Sequence, residues 1–154
     1  MRRFAALYRR LDRSTATSDK RAALIDYFRD APPEDAAWAL WLLAGGKVSG
    51  AKTKIAGSAE LRAWIAEESD TPPWLVDASY EQVGDLAETL TLLLDDPADA
   101  DALDDAPLHV WIERRLRGVA GADEATRRAT VVAAWRGLDR DARFVFNKLL
   151  TGAL

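Results

Sequence analysis

Three consecutive segments near the carboxy-terminal end, Leu108 to Arg117, Asp123 to Arg136 and Asp139 to Leu150, carry apolar residues at helical spacing, and each runs into a glycine, at Gly118, Gly137 and Gly152. Punctuation of this kind imposes short helices joined by tight turns, because glycine adopts the left-handed backbone that ends a helix. The same i, i+3, i+4, i+7 spacing recurs upstream, and no alternating strand pattern accompanies it. Phe4, Leu7, Tyr8 and Leu11 form a first stripe, and Leu24, Tyr27 and Phe28 a second after Ser18-Asp19. Pro32-Pro33 opens a helix through Trp38 and Trp41 that Gly45-Gly46 closes, and Ser58 caps the Leu61, Trp64, Ile65 helix. Pro72-Pro73 opens the next, and Gly84 separates it from Asp85 to Leu94. The expected class is all-α, one compact domain over residues 1–154 with roughly eight or nine helices.

With 49% apolar residues the chain has enough material for a sizeable core. Cysteine is absent, which removes disulfides, thiolate metal sites and cysteine nucleophiles and fits a reducing compartment. Met1 to Leu7 lacks the apolar stretch of a signal peptide, and no apolar run approaches the roughly 18 residues of a membrane span. A soluble, cytoplasmic monomer that avoids membranes is therefore expected.

The net charge of -4 argues against a polyanionic partner until its distribution is read. Residues 1–62 hold twelve Lys/Arg against seven Asp/Glu, residues 63–112 none against thirteen, and residues 113–154 nine against five. Two basic ends folded onto one face, with the acidic middle turned away, would make a dipole able to orient on a polyanion.

Several motifs fall short of chemistry. Asp99-x-Asp101 begins like a calcium loop, but Leu103, Asp104 and Val110 stand where a ligand, a glycine and a bidentate glutamate are needed. His109, the one histidine, has no cysteine or second histidine to share a zinc ion and reads as structural or exposed. Lys47-Val-Ser-Gly-Ala-Lys-Thr-Lys54 lacks the spacing of a nucleotide-binding loop and the strand before it, leaving a small positive loop with hydroxyls, suited to a phosphate backbone. The six tryptophans lie within apolar stripes and read as packing residues. Asp95 to Pro107, acidic and interrupted by proline, reads as a mobile connection.

In order along the chain, Phe4-Ala-Ala-Leu-Tyr8, Trp41-Leu-Leu-Ala-Gly-Gly-Lys47, Ala59-Glu-Leu-Arg-Ala-Trp64, Pro73-Trp-Leu75, Tyr80-Glu-Gln-Val-Gly-Asp-Leu-Ala-Glu-Thr89 and Phe146-Asn-Lys-Leu-Leu-Thr-Gly152 resemble successive pieces of the amino-terminal DNA-binding domain of bacterial ATP-dependent DNA ligases. Gly-Asp-Leu-Ala-Glu-Thr and Asn-Lys-Leu-Leu-Thr-Gly are the specific parts. The resemblance implies a helical module that binds duplex DNA around a nick through minor-groove phosphates and sugars. It places the contacts on two glycine loops: Gly46, Lys47, Ser49, Gly50, Lys52 and Lys54 in one, and Asn147, Lys148, Thr151 and Gly152 in the other. It implies partnership with the adenylation and OB-fold domains of the same ligase.

Ligase chemistry needs a Lys-x-Asp-Gly motif, and the chain contains no Asp-Gly pair. No catalytic residue and no metal ligand are therefore assigned; ATP and Mg would belong to the catalytic domains, and the domain by itself is not an enzyme. The alternative reading is a helical interaction module whose acidic middle binds a basic partner. Clustering of Lys52, Lys54 and Lys148 would favour DNA, and scattering the alternative. A small hydrolase has no constellation behind it.

Overall fold

The computed structural model describes residues 1–49, 54–152 and 154. Helices α1 (Arg2–Arg13), α2 (Thr17–Asp30), α3 (Pro33–Leu43), α4 (Ser58–Glu68), α5 (Pro73–Val83), α6 (Leu86–Leu92), α7 (Leu108–Val110), α8 (Glu124–Gly137) and α9 (Arg140–Thr151) follow one another without a strand among the described residues. The all-α expectation holds. None of these helices is long and apolar enough to cross a membrane.

Local signals account for the boundaries. Proline stands at the first position of α3 and α5, where its missing N–H removes nothing from the helical ladder. Asp85, Asp123 and Asp139 cap α6, α8 and α9, each accepting a hydrogen bond from a main-chain N–H three residues on, at 2.8, 2.8 and 2.9 Å. Gly84 and Gly152 close α5 and α9 with φ of 79° and 72°. Two starts shift by a residue or so: α2 begins at Thr17 after Ala16, and α4 is capped by Gly57, whose N–H donates to Glu60 Oε1 at 3.0 Å. α7 runs without a break into a π-helical stretch, Trp111–Leu116, and a 3-10 turn, Arg117–Val119.

α9 is the central helix. Ala142, Val145, Phe146, Leu149 and Leu150 are buried on it, together with three polar residues, and it packs against α1, α6 and α8. A helix buried on most of its circumference belongs to the core. Around it lie Phe4, Leu90, Trp111 and Trp135, with Trp64 on α4. The tryptophan reading is corrected in part. Trp64, Trp111 and Trp135 are core residues, whereas Trp74 is 69% exposed and Trp41 39% exposed.

The charge reading is corrected too. The acidic middle does not turn away from the carboxy-terminal basic segment but packs against it. Arg128 and Arg136 pair with Glu68, Arg140 and Arg143 with Asp96, Arg115 with Asp104, and Lys148 with Asp85. Opposite charges that are distant in sequence meet at short range, where their attraction is least screened. These contacts also tie down the acidic connection: Asp104 N–H donates to Gly137 O at 2.8 Å, and the terminal amine of Met1 to Ala106 O at 2.8 Å.

Candidate nucleic-acid interface

Gly-Asp-Leu-Ala-Glu-Thr and Asn-Lys-Leu-Leu-Thr-Gly, some sixty residues apart, form one unit. Gly84 ends α5, Asp85 caps α6, and the buried Ala87 and Thr91 face α9. Lys148 Nζ donates to Asp85 Oδ2 at the start of α6. Asn147 Nδ2 donates to Thr91 Oγ1 at 3.0 Å, and its Oδ1 accepts from Trp135 Nε1 at 2.7 Å. At the far end Arg143, fully buried, donates to the carbonyls of Leu94 and Asp95 at 3.2 and 3.1 Å. Burial works against the ionisation of Asp85, but Lys148 and the Glu88 N–H outweigh it and hold the carboxyl below its usual range.

The end of α9 then meets the lysine loop. Gly152 N–H donates to Lys148 O at 2.9 Å, and a β-carbon at Gly152 would lie 3.5 Å from Ser49 O and 3.8 Å from Lys47 Cδ. The loop opens with Gly45 at φ 96° and with Gly46 beneath the Trp41 ring. Its neck is held by Ser49 Oγ, which accepts from Ile55 N–H at 3.4 Å, and by Arg127, which donates to Ile55 O at 2.8 Å while gripping Glu60. Lys47 and Lys54 are exposed and form no salt bridge among the described residues, though the Lys54 ammonium is near enough to Glu60 to help hold that carboxyl below its usual range.

Between the two turns lies a cleft of about 570 Å³ whose lining includes Ser49, Lys54, Ser58, Tyr80, Asp85 and Thr151. Hydroxyls and the Lys54 ammonium share the lining with the apolar Ala56, Leu61, Leu86 and Leu150, so the polar groups can take phosphate oxygens while the apolar ones face sugar. Its one carboxylate, Asp85, already accepts from Lys148 and Glu88.

The expected contact residues therefore divide. Gly46, Lys47, Ser49, Lys54, Thr151 and Gly152 are brought together around the junction of the two turns. Gly50 and Lys52 lie outside the described residues. Asn147 is fully buried, and Ser49 and Lys148 are only 8% and 9% exposed, so all three offer little surface to a ligand in this arrangement. The polar atoms of Asn147 and Lys148 join α9 to α6 and α8. Sequence reading missed Tyr80 and Ser58 at the cleft; Tyr80 precedes the Gly84 turn by one helical turn, which was the available signal.

Asp35, His109 and Asp99 have structural partners. Asp35 accepts from His109 Nδ1 at 2.6 Å and from the N–H groups of Leu108 and His109, capping α7. Burial opposes its ionisation, yet the His109 and Leu108 hydrogen bonds keep its carboxyl low. Asp99 closes a local turn on Asp101 N–H at 2.9 Å. Among the described residues no group of three or more His, Cys, Asp or Glu is placed to hold a metal ion.

Comparison with known proteins adds one match. A family model described as DNA ligase N terminus covers residues 1–154, the whole chain. No curated protein matches it.

Proposed function

The chain belongs to the DNA ligase N-terminal family of the ATP-dependent enzymes, and on that premise we propose that it grips duplex DNA at nicks, without sequence preference, through phosphate and sugar contacts along the minor groove. The observation that carries this reading is the junction at Gly152, where the end of α9 meets the lysine loop beside Lys47 and Lys54, both exposed and neither in a salt bridge among the described residues. The end of α9 and the start of α4 contribute hydroxyls at Thr151 and Ser58, and such groups position a backbone without reading bases. The adenylation and OB-fold domains of the same ligase supply ATP, Mg and the sealing chemistry. The domain holds the nick for them as a monomer in the cytoplasm, in replication, repair and recombination.

In this reading Lys148 and Asn147 act through α6 and are not phosphate ligands. The test is fluorescence anisotropy of a labelled nicked duplex across a salt series, with intact duplex alongside. Binding is expected in the range of about 1–100 μM, falling steeply with salt. Lys47→Gln and Lys54→Gln should each flatten the log–log salt slope by about 0.9. An affinity indifferent to salt and to both substitutions would sink the reading.

One observation favours a second reading, the interaction module. Trp74, 69% exposed, and Leu75 stand on α5 as an exposed apolar surface, while the neighbouring Asp77 is paired with Arg62 at 2.6 Å. If that surface serves a protein, Trp74→Ala leaves DNA affinity at the parent value.

A further inference from the structure

Continuing from the lysine loop, the surface runs onto an aromatic and cationic cluster. Trp41 lies over Gly46, so closely that a β-carbon there would fall 2.2 Å from its ring, and Gly46 N–H donates to Trp41 O at 2.9 Å. Trp38 meets Trp41 edge to face with centroids 5.4 Å apart, and its Nε1 donates to Glu113 at 2.7 Å. The Arg117 guanidinium sits 4.6 Å from the Trp38 ring centroid and 5.8 Å from that of Trp41. Arg117 is exposed and forms no salt bridge among the described residues, and Leu40, which precedes Trp41 on α3, is 62% exposed.

This grouping is hard to explain as packing alone. A cation outside any salt bridge lies over the accessible Trp41 indole, which itself covers Gly46 next to Lys47 in the chain, and the exposed Leu40 precedes that indole on α3. Resting on the DNA reading above, we infer that Trp41, Leu40 and Arg117 form a second contact element for the same duplex, which extends the footprint past the lysine loop. Arg117 takes a phosphate, while Trp41 and Leu40 lie against deoxyribose and contribute apolar contact. Continuity with the lysine loop and the sign of its charge select the DNA backbone as the occupant.

The two kinds of contact differ in their dependence on salt. A phosphate contact releases counterions and steepens the salt slope; an apolar contact strengthens binding at every salt concentration and leaves the slope alone. Anisotropy on a nicked duplex is measured for Arg117→Gln, for Trp41→Leu and for Arg21→Gln, which makes the same charge change on α2. Arg117→Gln should flatten the slope by about 0.9 and weaken low-salt binding roughly three- to tenfold. Trp41→Leu should weaken binding a few-fold throughout with the parent slope, and Arg21→Gln should match the parent.

Parent-like affinity and slope for Arg117→Gln, while Lys47→Gln and Lys54→Gln still weaken binding, would confine the footprint to the lysine loop and overturn the inference. An equal effect from Arg21→Gln would reduce it to net charge and overturn it as well. Absence of salt-sensitive binding by the parent would remove the DNA reading itself, an outcome distinct from either.

Discussion

Lys148 Nζ bonds the Asp85 carboxylate, and through that bond the last turn of α9 holds the cap of α6. The cation that the sequence offers most readily to a phosphate is thus already occupied. Loss of DNA affinity in Lys148→Ala would reflect a shifted α6 and not a missing contact. We expect that variant to lose about 1–2 kcal/mol of stability, below the ~1.5–3 kcal/mol of a buried charged hydrogen bond because a third of Asp85 remains accessible. Urea titration of Lys148→Ala, Asp85→Ala and the double variant checks this: the two losses should be strongly non-additive.

The same pair predicts a pH signature. The folded Asp85 carboxyl lies below its ordinary value: burial would raise it, but the Lys148 and Glu88 hydrogen bonds prevail. A group depressed on folding contributes stability that is fully present above the unfolded pKa, near 3.9, and is lost as pH falls through the folded value. Asp85→Asn should therefore be less stable than the parent from about pH 5 upward, with the gap closing below about pH 4. A gap that persisted unchanged at pH 3 would mean that the carboxylate charge contributes nothing.

Most helix starts and stops were legible because their causes are local, but Gly118 and Gly137 take no left-handed backbone: Gly118 lies inside the 3-10 turn, with the left-handed turn at Gly121, and Gly137 is the last residue of α8. Asp123, Asp139 and Asp85 each bond an N–H three residues away, and Gly84 and Gly152 supply their own left-handed turns. What residues sixty positions apart do to one another was not legible. Nothing near Asn147 in sequence reveals that its amide donates to Thr91 and Ala87 and accepts from Trp135, and nothing near Lys148 reveals Asp85. The two stretches that carried the family resemblance turn out to pack against each other. They mark the scaffold, while the exposed cations beside it sit in a loop with no distinctive pattern.

Asn147 is the polar centre of that scaffold. Replacing it with alanine leaves the indole N–H of Trp135 and the hydroxyl of Thr91 without this partner in a dry interior. The expected loss is about 2–3 kcal/mol by chemical denaturation, large for the removal of one short side chain. A loss within about 0.5 kcal/mol, ordinary for an exposed position, would show that the network does not stabilise the fold.

Gly46 tests whether the lysine loop is held from outside the core. Its backbone does not need the left-handed region, so a substitution there acts by volume: alanine would place a methyl group inside the Trp41 ring. Because that indole lies on the surface it can swing outward, so Gly46→Ala should cost little global stability, under about 1 kcal/mol, while exposing the ring to water. Tryptophan emission should shift to the red and acrylamide quenching should rise, with far-ultraviolet circular dichroism unchanged. If Trp41 orients the loop, DNA affinity falls in step with those optical changes. Affinity that stays at the parent value after the ring has moved would mean that the loop finds the backbone without it.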